Sequence, residues 1–197
     1  MPADGVPENA VQVTTRAQWR TWLTKHHTRT TGIWVVTFKK AAGKRHVPYA
    51  DIVEEALCFG WIDSKPAKLD DERSMLWLAP RKPRTNWSEL NRKRVAHLIA
   101  DGRMTAVGLA RIDAAKADGS WSALEVVDAL MIPDDLAEAF RAHPGSAANF
   151  DAFPRSTRKG ILEWILTAKR AETRAARVGQ TALLAGRNER ANQWTRK

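Results

Sequence analysis

The sequence predicts an α+β fold: a small antiparallel sheet with helices in the N-terminal part, followed by an all-helical C-terminal part. Three observations predict it. Strand-like runs, β-branched and aromatic, occur only before Pro83. Beyond that point apolar residues recur at helical spacing, and glycines close successive segments. Hydrophobic residues make up 44% of the 197, enough for a core, yet no run approaches the roughly 20 apolar residues of a membrane span.

Residues 1–12 read as a flexible tail and residues 13–84 as a small α/β domain. In TTRAQWRTWLTKHH, Thr14 or Thr15 can cap, and Trp19, Trp22 and Leu23 share one side, which predicts a helix over about 15–26. GIWVVTFKK reads as a buried strand over 33–39. AAGKRHVP is a turn with a short extended piece, since Pro48 disfavours helix in the residue before it. ADIVEEALCFG carries helix punctuation, with Asp51 as cap, Glu54 in the first turn and Gly60 past the end. WIDSKPAKL and SMLWLAP flank the polar turn LDDER and predict an antiparallel hairpin, with Pro66 arguing for an edge strand.

Residues 85–132 read as two helices and a connection packed on the junction, and 133–197 as a helical C-terminal region. SELNRKRVAHLIADG and TAVGLARIDAAKADG each end in a glycine stop, and no strand of four or more residues is expected after residue 95. SWSALEVVDALMIP reads mostly as connection. PDDLAEAFRAHP opens with Pro133 and acids at the positive end of a helix dipole. GSAANFDAFP holds one or two helical turns. One long helix is then expected from about Ser156 to Leu184, its buried stripe marked by Leu162, Ile165, Ala168, Ala171, Ala175, Val178 and Ala182.

Composition narrows the function. Cys58 is the only cysteine, which excludes an internal disulfide and a multi-cysteine zinc site and fits a reducing, cytoplasmic compartment. The opening MPADGVPENA has neither the basic n-region nor the apolar h-region of a signal peptide. The net charge of +10 is unevenly spread: residues 73–94 carry 7 basic groups and 1 acid, residues 155–197 carry 11 and 3, and residues 95–154 between them carry 4 and 9. Clustered positive charge points to an anionic partner, although a solvated basic face produces the same pattern.

Several groups are candidates for chemistry. Cys58 has acids rather than cations as helix neighbours, which disfavours thiolate and fits a packing role. His26 and His27 are adjacent, point apart on a helix, and lack a further ligand at metal spacing. Asp63 and Lys65 alternate along a strand with Trp61, which sets all three on one face, either lining a pocket or facing solvent. Arg81, Lys82 and Arg84 sit in a proline-stiffened loop entering a helix near Asn86 or Ser88. Its start would offer free N–H groups to an anion, with Trp87 and Asn91 four residues apart on one side. Arg170, Arg174 and Arg177 fall at i, i+4 and i+7 and form a basic stripe.

The runs YADIVEEALCFGWIDSKPAKLD, APRKPRTNWSELN, HLIADGRMTAVGL, AKADGSW and SAANFDAFPRSTRKGILEWILTAKRAETRAARV, in that order from about Trp19 to Leu184, resemble the YdeI/OmpD-associated, or bacteriocin-protection, family. The resemblance implies a bacterial protein with a small α/β domain followed by helices and a role in stress, bacteriocin protection or porin association. It implies no catalytic mechanism.

Three functions fit. The first is a binding protein with a cleft at the sheet–helix junction for a small anionic ligand or an acidic protein partner. The second is a nucleic-acid binder without sequence specificity: the helix pair 88–100 and 105–117 has the outline of a helix-turn-helix, but Thr105, Ala106, Val107 and Gly108 offer almost nothing to a base edge. The third is an enzyme, for which there is no nucleophile–base pair, metal motif or glycine-rich phosphate loop. No cofactor is expected, and oligomeric state is not legible. The sequence favours the first, with Trp61, Asp63, Lys65, Arg81, Lys82, Arg84, Trp87 and Asn91 as candidate ligand residues.

Overall fold

The computed structural model describes residues 5–193. The chain divides into two compact units, Met1–Ala123 and Leu124–Lys197. The expected α+β class is the observed one.

In the first unit, strands β1 (Ala10–Gln12), β2 (Ile33–Phe38), β3 (Trp61–Lys68) and β4 (Arg73–Pro80) form one sheet in the order β1-β2-β4-β3. The β3–β4 hairpin and the β2–β4 pair are antiparallel, and Pro66 lies in an edge strand as its missing N–H requires. β1 corrects the expected tail: Ala10, Val11 and Gln12 pair in parallel with Trp34, Val35 and Val36, so the sheet is mixed. The part of that tail over residues 1–4 lies outside the described residues.

Helices α1 (Arg16–His26) and α2 (Tyr49–Cys58) cover one sheet face. Thr15 caps α1 by accepting from the N–H of Gln18, an interaction worth about 1 kcal/mol. α2 begins at Tyr49 behind Pro48, one turn earlier than expected, so Asp51 is a first-turn acid and not the cap. The core joins Trp19 and Leu23 to Ile33, Val35, Ile52, Val53, Leu57, Trp61 and Leu78.

The same helices carry a buried ion network. Glu55, 1% exposed, accepts from Arg16 Nε at 2.7 Å and Arg20 Nη1 at 2.7 Å, and also pairs with Arg103. Arg16 further reaches Asp51 and Glu54, at 2.7 Å each. Burial alone would raise the Glu55 carboxyl, but the hydrogen bonds from Arg16 and Arg20 hold it below the usual range.

Helices α3 (Glu89–Ala100) and α4 (Ala106–Ala117) complete this unit, and α3 and α4 each pack on α2. Ser88 and Thr105 cap them, accepting from the N–H groups of Asn91 and Gly108. Thr105 Oγ1 also donates to the Cys58 carbonyl at 2.6 Å. Gly108 is required there, because a side chain on it would clash with the Cys58 backbone carbonyl.

The second unit contains α5 (Glu125–Asp128), α6 (Asp134–Arg141), α7 (Ser146–Ala152), α8 (Arg155–Leu166) and α9 (Ala171–Gly186) around Leu136, Phe140, Phe150, Ile161, Ile165, Val178 and Ala182. Among the described residues no strand follows Pro80. The single long helix is corrected to two. Thr167 turns its hydroxyl back to the carbonyls of Glu163 at 2.9 Å and Trp164 at 3.2 Å, and Arg170 is extended, so α8 stops and α9 restarts. The expected stripe breaks with it: Leu162, Ile165, Val178 and Ala182 are buried, whereas Ala171 and Ala175 are exposed and Ala168 is half-buried. No described helix is long and apolar enough to cross a membrane.

Candidate functional site

At one end of the sheet β4 runs out through Pro80 into the loop 81–87. Arg81 anchors that loop to the fold, its N–H donating to the Gly60 carbonyl at 2.9 Å. Gly60, at φ 73°, turns the chain from α2 into β3. The Arg81 side chain then folds under the loop. Its Nη2 donates to the carbonyls of Thr85, at 3.1 Å, and Asn86, and its guanidinium lies 3.8 Å from the centre of the Trp87 ring. Arg81 is 5% exposed, forms no ion pair among the described residues, and its Nε has no acceptor. Burial pushes its pKa from the ordinary 12.5 down to about 10, so it remains a cation at neutral pH. Burying a cation without a counter-charge is costly, and the two carbonyls and the indole face offset only part of that cost.

Two cavities meet at Arg81. The larger is an open groove of about 1100 Å³. Its walls are the loop after α1 (His27 to Gly32), the end of β4 with Trp77, Ala79 and Pro80, the Arg81–Pro83 segment, and Val107 and Arg111 of α4. Arg29, Lys82 and Arg111 are exposed along it, and among the described residues no Asp or Glu lines it. The smaller cavity, about 30 Å³, is room for about one water-sized atom. It lies among Arg81, Trp87, Arg111, Asp118 and Ser120. Three buried polar atoms without a partner, Arg81 Nε, Trp87 Nε1 and Ser120 Oγ, belong to residues lining it. Buried polar groups are satisfied in the great majority of cases, so this cluster marks a place suited to accept hydrogen bonds from protein donors.

The structure keeps only part of the expected ligand set together. Arg81 and Lys82 line the groove, and Arg84 and Trp87 line the smaller cavity. Arg84 takes a left-handed φ of 58° and donates its N–H to Asp118 at 3.1 Å, which fixes the loop. Trp87 is 1% exposed and holds the loop to Ser120 by a backbone hydrogen bond of 3.1 Å. Asn91 accepts at Oδ1 from Arg94 at 3.0 Å and lines neither cavity. The start of α3 is occupied by its own Ser88 cap.

Trp61 is a core residue, its Nε1 donating to the His27 carbonyl at 3.1 Å. Asp63 accepts from the Tyr49 hydroxyl on the helix-covered face. Lys65 does not share that face. Asp63 pairs with Leu78 but Pro66 with Leu76, so β3 carries one extra residue, and the bulge turns Lys65 to the opposite side, 5.4 Å from the Trp34 ring.

The basic stripe is also redistributed. Arg174 is bonded to both oxygens of Asp135, at 2.7 and 3.0 Å, and holds that carboxyl below its usual range. Arg177 donates to the Trp164 carbonyl and stacks on the Trp164 ring at 4.9 Å, closing the end of α8. Only Arg170, the extended residue before α9, stays exposed. His27 Nδ1 lies 3.2 Å from the Leu23 carbonyl, a helix-end contact. Cys58 is fully buried, and burial followed by the charge of Glu55 pushes its thiol up.

Sequence reasoning missed Arg29, Arg111 and the Thr28, Thr30 and Thr31 hydroxyls of the groove. The signal for the first group was the polar run HTRTTG between a helix and a strand. Arg111 had no local signal, because α4 meets the groove only through the fold.

Residues 11–111 match the family model described as Domain of unknown function (DUF8412), and residues 129–188 match the model described as Bacteriocin-protection, YdeI or OmpD-Associated. The resemblance drawn from about Trp19 to Leu184 thus falls under two models. All groove residues except Asn9 lie within the first. No curated protein and no solved structure matches the chain.

Proposed function

Starting from the premise that the chain belongs to the family described as Domain of unknown function (DUF8412), and carries a bacteriocin-protection, YdeI or OmpD-associated region over residues 129–188, we propose that it is a binding protein whose N-terminal unit takes up a small anionic ligand in the groove beside Arg81. In this reading the bacteriocin-protection or stress role is exercised through that ligand.

The observation that carries the reading is the buried Arg81 guanidinium, without an ion-pair partner among the described residues. An anion about 4 Å away in surroundings of effective dielectric near 20 is attracted by roughly 4 kcal/mol, comparable to a millimolar dissociation constant. The protein thereby gains on binding the compensation that its own fold withholds. The nucleic-acid reading has less support, because Arg174 and Arg177 are engaged within the second unit and form no free charged track.

Isothermal titration with orthophosphate at low salt tests the proposal. Weak binding by the wild type and its loss in Arg81→Met are expected. Undiminished binding by the variant would overturn the assignment to Arg81. Binding of duplex DNA with a log–log salt slope near −0.9 per neutralised phosphate would favour the nucleic-acid reading instead.

A further inference from the structure

Several cationic side chains in this fold are paired with carboxylates. Arg16, Arg20 and Arg103 share Glu55, Arg174 holds Asp135, and Lys93 reaches Glu89. The groove departs from this pattern. Arg29, Arg81, Lys82 and Arg111 come from three separate parts of the first unit, line one concavity, and form no ion pair among the described residues. Thr28, Thr30, Thr31 and Asn9 also line the groove, all residue types able to donate hydrogen bonds. Among the described residues no lining carboxylate opposes this field. Four positive charges exceed what one monoanion neutralises, and guanidinium groups match the oxygens of phosphate in pairs.

Resting on the anion-binding reading above, we propose that the groove's ligand carries at least two linked phosphoryl groups: a pyrophosphate unit, free or borne by a nucleotide, with one phosphoryl beside Arg81 and Lys82 and the next towards Arg29 and Arg111. The groove volume of about 1100 Å³ admits such a molecule, and Trp77, Ala79, Pro80 and Val107 supply an apolar wall for an organic part.

The test is an affinity ladder of orthophosphate, pyrophosphate and tripolyphosphate, measured by calorimetry on the full chain in a chelator-containing buffer of fixed ionic strength. Wild type is expected to gain about tenfold from orthophosphate to pyrophosphate, a difference of about 1.4 kcal/mol. Arg29→Ala and Arg111→Ala remove exposed side chains, so both variants fold, which circular dichroism checks. Each is expected to weaken pyrophosphate binding more than orthophosphate binding, so that the ladder flattens. A nucleoside diphosphate run in parallel separates the two sources: tighter binding than pyrophosphate identifies the nucleotide, weaker binding the inorganic ion. A flat ladder overturns the inference while orthophosphate binding through Arg81 still stands. A rising ladder that Arg29→Ala and Arg111→Ala leave untouched also overturns it, since the second phosphoryl then lies elsewhere. Absence of binding by every member removes the underlying reading as well.

Discussion

Glu55 and Arg81 are both buried charges in the first unit, and their surroundings are opposite. Three guanidiniums converge on Glu55, so the carboxylate is neutralised inside the protein. Arg81 has two backbone carbonyls and an indole face but, among the described residues, no carboxylate. The first arrangement ties α1, α2 and the Arg103 loop into one body. The second leaves charge uncompensated at the edge of a groove. A buried charge that the fold answers holds the scaffold together; at the other, the proposed ligand would supply the counter-charge.

Breaking each centre gives the largest contrast. Glu55→Gln leaves Arg16, Arg20 and Arg103 facing a neutral amide and is expected to cost about 3–5 kcal/mol in urea unfolding. Arg81→Met is expected to cost no more than about 1 kcal/mol, or to stabilise. The fall of the Arg81 pKa from 12.5 to about 10 corresponds to roughly 3 kcal/mol held against its charged form, and removing that term offsets the lost carbonyl hydrogen bonds. A large loss at Arg81 with little at Glu55 would reverse the comparison.

The two centres also differ in pH dependence. The Glu55 pKa is lowered on folding, so its contribution is fully present above the unfolded value of about 4.5 and is lost as pH falls through the folded one. The stability gap between wild type and Glu55→Gln is therefore expected to narrow below pH 4.5, as followed by urea unfolding at stepped pH. Arg81 behaves inversely, because its cost is fully present at neutral pH and is relieved only above about 10.

Cys58 reports on the Glu55 side. Its buried, raised thiol is expected to react slowly with a thiol reagent at neutral pH in the folded protein, and rapid labelling would mean that the α2 core opens easily. The smallest effect concerns Tyr49, the only tyrosine, whose ionisation can be followed alone by ultraviolet absorbance. Partial burial and the hydrogen bond to Asp63 push its hydroxyl up to about 12, and Asp63→Asn is expected to bring the midpoint down towards 10.

Elements with local punctuation were legible in the sequence. Thr15 and Ser88 cap the helices they precede, and the β3–β4 hairpin brackets its polar turn. Elements decided by distant contacts were not. β1 is three residues long and exists through its pairing with β2, and Asp51 lost the cap position because α2 starts at Tyr49. A one-residue bulge separated Lys65 from Asp63, since side-chain direction alternates and one added residue reverses it. Of the site, the charge cluster pointed to Arg81, Lys82, Arg84 and Trp87. Arg29 and Arg111 join them only where the α1–β2 loop and α4 meet, and residues so far apart leave no spacing to read.

The most direct test of the central claim follows individual arginine Nε–H signals by nitrogen-15 NMR, with Arg81 assigned from Arg81→Met and Arg16 from Arg16→Lys. Arg16 Nε is bonded to Glu55 at 2.7 Å, whereas Arg81 Nε has no acceptor. On addition of phosphate the Arg81 signal is predicted to shift in a saturable way while that of Arg16 stays in place. A stationary Arg81 signal, or equal shifts of both, would contradict the account.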